Sequence, residues 1–508
     1  MAKSKRSERA GAMSVVPGNA WDAWVTQTHE QTAHALRSLI NGLDVETGMR
    51  AKLAFASEQW IAAAHPDNFL ATNTVALQRA LETRGQSIQS GMQLMLADLA
   101  RGRVSNTDEA AFEVGRNLAT TPGKVVLRNA LIELIQYSPS TPKVGQRPLV
   151  IVPPCINKFY ILDLGPANSF VKYAVDAGHT VFMVSWRNPT AADNGLAQMT
   201  WDDYLQLGAV DALNAARAIC KSDKVNALGF CVGGTILAAA LAALAAKGES
   251  PAASLTLLTT LLDFTDVGEL GLFIDPASVA YREAMLGAGG LLGGNELAAT
   301  FSALRPRDLI WNYVSNGYLK GEAPPAFDLL FWNADSTSLP GPMFCWYLRN
   351  LYLENRLRSG ELESLGEPLN LGAIKAPVFV YASREDHIVP WRSAFESTRL
   401  LGGPCTFVLG ASGHIAGVVN PPHKKKRSFW SGDLKSKKTA KLQKTPTARV
   451  APDDWLGHAV ETPGSWWAAW AAWLEQHKGM TVAARRTLGN RQYNLIGDAP
   501  GEYVKVRI

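Results

Sequence analysis

Residues 224–246, KVNALGFCVGGTILAAALAALAA, constrain this chain more than any other stretch. A β-prone run, Val225–Phe230, meets Cys231 in the middle of GFCVGG, and an alanine- and leucine-rich helical run follows from Thr235. Strand, Gly-x-nucleophile-x-Gly, helix is the order of a nucleophile elbow, here with cysteine where serine is commoner. In so tight a turn Gly229 and Gly233 keep Cβ atoms out of the way, and Gly234 permits close approach of the helix. Cys231 then stands near a helix N-terminus, where unpaired N–H groups and the dipole favour a thiolate over a thiol whose free pKa is about 8.5. The backbone N–H of Val232 is placed to donate to an oxyanion. A buried structural cysteine in a glycine-rich bend is the bland alternative. A membrane span is another, because residues 227–246 carry only Thr235 as a clearly polar side chain and reach the ~20 residues a bilayer needs. Three glycines divide that run into strand and helix, and a central helix packed on a sheet is apolar all round.

The chain is long enough for a large core, with 508 residues, 47% of them hydrophobic and 19% charged. Its five cysteines (Cys155, Cys220, Cys231, Cys345, Cys405) form no CxxC pair and leave one over. That argues against a disulfide framework or a zinc ribbon and suits a reducing cytoplasm. Residues 1–16 are basic but lack the apolar core of a secretory signal. The net charge of +5 is concentrated: residues 424–444 hold nine Lys or Arg against Asp433 alone, leaving about −3 elsewhere. Such a segment is a solvated loop or an attractor of anionic groups.

Residues 20–103 read as helices, with Trp21, Trp24, Val25, Leu36, Leu39 and Ile40 at helical spacing. Pro66 breaks the pattern before a longer amphipathic run over residues 75–99. His29, His34 and His65 form no catalytic constellation there, so this appendage suits docking better than chemistry. From Lys124 the texture changes to alternating strands and helices, which predicts a mostly parallel sheet. Residues 125–127 and 131–136 read as paired strands, and residues 148–152, 180–186, 253–262 and 377–382 as buried ones. The loop PPCINKFYILDL after residue 152 stands where an elbow sheet takes its second oxyanion N–H, which makes the Cys155 or Ile156 backbone a candidate donor. A reactive Cys155 is the rival reading.

Between the strands at 253–262 and 377–382 lies an insertion of more than a hundred residues. It is flexible at GAGGLLGGN and rich in aromatics, among them Phe327, Phe331, Trp332, Phe344, Trp346, Tyr347 and Tyr352. The expected domains are a helical region over 1–103 and a catalytic domain over 104–508, with a cap inserted at 265–372. Two strand ends complete a catalytic set. Residues 377–382 run into SREDHIVPW, presenting Asp386, and residues 405–409 run into GASGHIAG, presenting His414. Nucleophile, acid, base is the chain order of the α/β-hydrolase fold. Glu385 is an alternative acid, and His387 is a structural neighbour or a substitute base. Near the C-terminus, Trp466, Trp470 and Trp473 share a helical face that packs on the sheet or touches a polymer.

GFCVGGTIL, PPCINKFYILDL, VFMVSWRNP, LLDFTDVGELGLFID, FDLLFWNADSTSLPGPMFCWYLRN, SREDHIVPW and ASGHIAGVVNPP together resemble the polyhydroxyalkanoate synthases. The form GFCVGG looks like class I members, which favour short 3-hydroxyacyl-CoA substrates; Cys155 stands where the family usually has Trp. The resemblance implies an α/β-hydrolase fold with a cap and an N-terminal helical domain. It makes Cys231 the acylated nucleophile, His414 its base and Asp386 the acidic partner; Val232 and Ile156 stay the candidate backbone oxyanion donors that the turn and the loop position point to. It also implies no cofactor or metal beyond the coenzyme A of the substrate, a homodimer, and a cytoplasmic place at polymer granules. Nucleic-acid binding and a transmembrane segment are not expected. A thioesterase or polyester depolymerase would use the same triad, though usually with serine. A granule-coat protein would need no triad.

Overall fold

The computed structural model describes residues 20–193, 195–434 and 450–507. The basic stretch 1–16 and residues 435–444 of the basic segment lie outside the described residues. The chain forms two compact units: the described residues up to Asp108 with Thr300–Ala326, and Glu109–Ala299 with Phe327 onwards.

The first unit is helical: α1 Ala20–Gly42, α2 Thr47–Ala63, α3 Thr74–Glu82 and α4 Gln86–Arg101. The amphipathic run expected over 75–99 is two helices, because Arg84 (φ 52°) and Gly85 (φ 85°) turn the backbone left-handed between them. Residues 300–326, read from sequence as part of the cap, pack in this unit instead. Asn73 Nδ2 donates to Ser315 Oγ at 3.1 Å, and Tyr318 donates to Asp98 Oδ2 at 2.7 Å. Gly91 admits the Tyr318 carbonyl, whose oxygen would lie 2.0 Å from a Cβ there. These polar partners are far apart in sequence, so chain order alone assigned the segment to its neighbours.

The second unit is built on an eleven-stranded sheet. In chain order its strands are β1 Gly123–Arg128, β2 Ile132–Tyr137, β3 Leu149–Val152, β4 Val181–Trp186, β5 Val225–Phe230 and β6 Ala252–Leu258. β7 Val378–Ser383, β8 Cys405–Gly410, β9 Ser428–Ser431, β10 Val460–Pro463 and β11 Gly497–Asp498 follow. Across the sheet the order is β10-β9-β8-β7-β6-β5-β3-β4-β2-β1-β11. β3 to β8 are mutually parallel, and the remaining strands add antiparallel edges. The parallel strands are mostly buried apolar runs, the texture expected where helices cover both sheet faces. β9, β10 and β11 escape sequence reading because they are short and partly or wholly exposed.

Helices α5 Phe170–Asp176, α6 Asp211–Cys220 and α7 Val232–Ala246 connect the central strands. α7 begins at Val232 rather than Thr235 and is buried through residue 244, which fits its near-absence of polar side chains. Two short elements follow later in the chain, α8 His414–Val418 and α9 Trp467–Glu475. Trp466, Trp467 and Trp470 are buried, and Trp473 is half-buried. Trp466 stacks on Tyr381 at 4.2 Å between centroids, Trp470 lies 4.6 Å from Phe170, and Trp470 Nε1 donates to Thr256 Oγ1 at 3.1 Å. The tryptophans therefore pack on the sheet. Trp470→Ala opens a cavity costing about 3–5 kcal/mol, so urea unfolding of that variant is expected at a clearly lower midpoint, with Trp473→Ala shifted much less.

Candidate active site

Four strand ends converge: β3, β5, β7 and β8 present the loop at Pro153, Cys231, Asp386 and His414 respectively. Cys231 sits at φ 53°, ψ −129°, a region that costs a non-glycine residue about 1–3 kcal/mol. Its surroundings hold it there. The Cys231 N–H donates to the Leu258 carbonyl at 2.9 Å, and its carbonyl accepts from Gly234 N at 2.8 Å and Thr260 Oγ1 at 3.3 Å. A Cβ at Gly229 would lie 2.3 Å from Gly234 Cα, and one at Gly233 2.3 Å from the Val152 carbonyl oxygen. Glycine is thus needed where the strand meets the helix and where the helix meets the end of β3.

His414 opens α8 and is buried, its ring stacked on Phe230 at 5.7 Å. Its Nδ1 lies 2.6 Å from Asp386 Oδ2, and Cys231 stands close enough for its charge to act on the imidazole. Asp386 is held in turn: Oδ1 accepts from Ile388 N at 2.9 Å and Val389 N at 2.8 Å. The indoles of Trp466 and Trp467 donate to the Gly417 and Val418 carbonyls at 3.0 and 2.8 Å, capping the C-terminal end of α8. The sequence reading missed that support; a paired Trp-Trp at a helix start was its only trace. Glu385 is exposed, and it is Asp386 that bonds the imidazole.

Burial alone would disfavour the His414 imidazolium. The Asp386 carboxylate, which is hydrogen-bonded to the ring, and the Cys231 charge outweigh it and raise the pKa from 6.5 to about 10. His414 in this setting favours its protonated form. Cys155 is buried beside this site, and burial, with a smaller contribution from Cys231, pushes its thiol far up. That is the environment of an inert thiol.

Val232 is the first residue of α7, so its N–H belongs to the helix-terminal donors without an intrahelical acceptor. The Ile156 carbonyl accepts from Thr337 N at 3.2 Å, which leaves the role of its N–H to the peptide plane. Among the described residues no group of His, Cys, Asp and Glu is arranged to hold a metal ion.

An elbow cysteine with a buried His-Asp pair, on a parallel sheet with antiparallel edges, is the frame of the α/β-hydrolase fold. The α/β-hydrolase family model matches residues 148–421, and that of the poly-beta-hydroxybutyrate polymerase (PhaC) N-terminus matches residues 18–174. The chain is 51% identical to the poly(3-hydroxyalkanoate) polymerase subunit PhaC of Cupriavidus necator, over 96% of this chain and 82% of that protein. It belongs to the poly(3-hydroxyalkanoate) polymerases. The PhaC subunit of Rhizobium meliloti is 44% identical over 92% of this chain and 74% of its own. Poly(3-hydroxyalkanoate) polymerase 1 of Ectopseudomonas oleovorans is 38% identical over 95% and 83%. The chain is accordingly an acyltransferase that polymerises hydroxyalkanoate units.

In this polymerase the aromatics of the insertion divide. Tyr347 and Tyr352 stand close enough to Cys231 for its charge to act on them, and both hydroxyls are driven up, chiefly by burial. Phe264 packs edge-on against Tyr352 at 5.1 Å, and Trp201 stacks on Trp346 at 4.8 Å. Phe331 packs against Phe112 instead, and Trp332 donates to the Lys158 carbonyl.

The raised His414 pKa carries a pH signature. A folded value above the unfolded one stabilises the fold fully below pH about 6.5 and loses that contribution as pH rises through about 10. Asp386→Asn removes the largest raising influence and leaves burial, so the His414 imidazole should titrate well below its wild-type value when followed by NMR. An unchanged titration would remove Asp386 as its electrostatic partner.

Proposed function

We propose that the chain polymerises (R)-3-hydroxyacyl-CoA, 3-hydroxybutyryl-CoA and similar short chains, through an acyl group carried on Cys231. The observation that carries this reading is a cysteine at the strained elbow, beside a buried histidine that is hydrogen-bonded to a buried carboxylate. The short-chain preference draws support from the GFCVGG form and from the hydroxybutyrate in the description of the matching N-terminal family.

His414 takes the Cys231 proton, and the thiolate attacks the thioester carbonyl carbon. Negative charge on the carbonyl oxygen is met by the N–H of Val232 and that of Ile156. Collapse expels CoA as thiolate, which receives the proton held on His414, and the acyl group remains as a thioester on Cys231. Thioester is exchanged for thioester, so the acyl group stays activated. The 3-hydroxyl of a second acyl unit or of a chain end then attacks, giving its proton to a base; an ester forms and the Cys231 thiolate leaves. Both Asp386 oxygens are engaged and its side chain is fully buried, which favours His414 as that base.

Water must be kept from the acyl-cysteine, or the same machinery becomes a thioesterase. Tyr347, Tyr352, Phe264 and the Trp201–Trp346 stack are the groups suited to that exclusion. We further assign the protein to the cytoplasm as a homodimer at granule surfaces, working without a metal or organic cofactor. Support for a surface contact comes from the helical unit, where Trp21, Trp24, Leu39, Trp60, Leu81 and Leu99 are exposed.

Purified protein incubated with 3-hydroxybutyryl-CoA should release CoA and form insoluble polymer, and Cys231→Ala should lose both. Free 3-hydroxybutyrate without polymer would mean a thioesterase. Polymer formation undiminished in Cys231→Ala would refute the cysteine-linked intermediate.

A further inference from the structure

The loop after β3 is held by its carbonyl oxygens. Trp186 Nε1 donates to the Pro153 carbonyl at 2.9 Å, Thr337 Oγ1 to the Cys155 carbonyl at 2.7 Å, and Trp332 Nε1 to the Lys158 carbonyl at 2.7 Å. Thr337 Oγ1 also contacts the Ile156 carbonyl, which the Thr337 N–H reaches at 3.2 Å. A threonine hydroxyl has one hydrogen, so it is shared between the two carbonyls. The residues on either side of Thr337 are tied down as well. Asp335 pairs with Lys158 at 2.8 Å, both side chains being almost wholly buried, and accepts from Tyr160 at 2.8 Å. Ser336 bridges to Asn157, and the Ser338 N–H donates to Asn188 Oδ1 at 3.0 Å.

A trans peptide points its C=O and the following N–H in opposite directions. With the Cys155 carbonyl turned to Thr337, the Ile156 N–H is turned away from residues 335–338. The loop meanwhile starts against the elbow, where a Gly233 Cβ would lie 2.4 Å from the Pro153 carbonyl oxygen. We infer that Thr337 is a positioning residue: by fixing the Cys155–Ile156 peptide plane it aims the Ile156 N–H at the acyl oxygen on Cys231. This rests on the reading of Cys231 as the acylated nucleophile. It also makes the oxyanion site depend on a segment of the aromatic insertion, so that any shift of residues 335–338 would weaken turnover without disturbing the triad.

The test compares Thr337→Val, which keeps the shape and loses the hydroxyl, with Thr337→Ser, which keeps the hydroxyl. Steady-state CoA release from 3-hydroxybutyryl-CoA is measured beside the rate of Cys231 alkylation by iodoacetamide, a reaction that needs the thiolate and no oxyanion site. Losing one oxyanion donor costs about 100- to 1,000-fold in kcat, so a misaimed donor should cost about 10- to 100-fold. The expected result is that fall in Thr337→Val with KM nearly unchanged, alkylation at the wild-type rate, and near-wild-type kcat in Thr337→Ser. Wild-type kcat in Thr337→Val overturns the inference. So does an equal fall in alkylation, which would mean general damage, or a Thr337→Ser as impaired as the valine variant. Failure of the underlying reading shows elsewhere, as CoA release that survives Cys231→Ala.

Discussion

Cys231 holds a backbone conformation that no isolated peptide of its sequence would keep, and much of the catalytic unit is arranged so that it can. The turn is closed by the Leu258 carbonyl at the end of β6, by Thr260 just beyond it, and by glycines that let α7 lie on β5 and on the end of β3. Strain of this kind persists only where the surroundings over-determine it. The parallel pairing of β3, β5 and β6 supplies that rigidity, and it also brings the ends of those strands to one rim of the sheet.

The groups that gather at that rim are each held by partners from elsewhere in the chain. His414 rides on a five-residue helix too short to be stable alone. It is steadied by two indole N–H groups from residues about fifty positions away and by the Asp386 carboxylate. Asp386 is steadied by two N–H groups of its own loop. Burial of the imidazole would ordinarily drive off its proton; the adjacent negative charge reverses that, so a water-poor site still holds a proton on demand.

The insertion that follows β6 contributes differently from a simple lid. Its residues 300–326 pack with the N-terminal helices, while Asp335–Ser338 grips the loop after β3 and Tyr347 and Tyr352 stand near Cys231. Composition showed that the insertion was aromatic. It did not show which rings come near Cys231, because Phe331, Trp332, Tyr347 and Tyr352 look alike in sequence and differ only in where the backbone carries them.

The α/β-hydrolase frame, the elbow, and the candidates Asp386 and His414 were legible in the sequence. Each depends on local rules: buried parallel strands are continuous apolar runs, a tight turn demands glycine, and catalytic side chains follow strand ends. The split of residues 75–99 needed the actual dihedrals of Arg84 and Gly85, although the glycine was visible. The short edge strands, the placement of residues 300–326, the tryptophan caps on α8 and the Thr337 contacts were decided by tertiary structure alone. The edge strands are too short to show a pattern, and the other features pair groups distant in the chain through single hydrogen bonds or close backbone approaches, which impose no periodicity on the sequence that contains them.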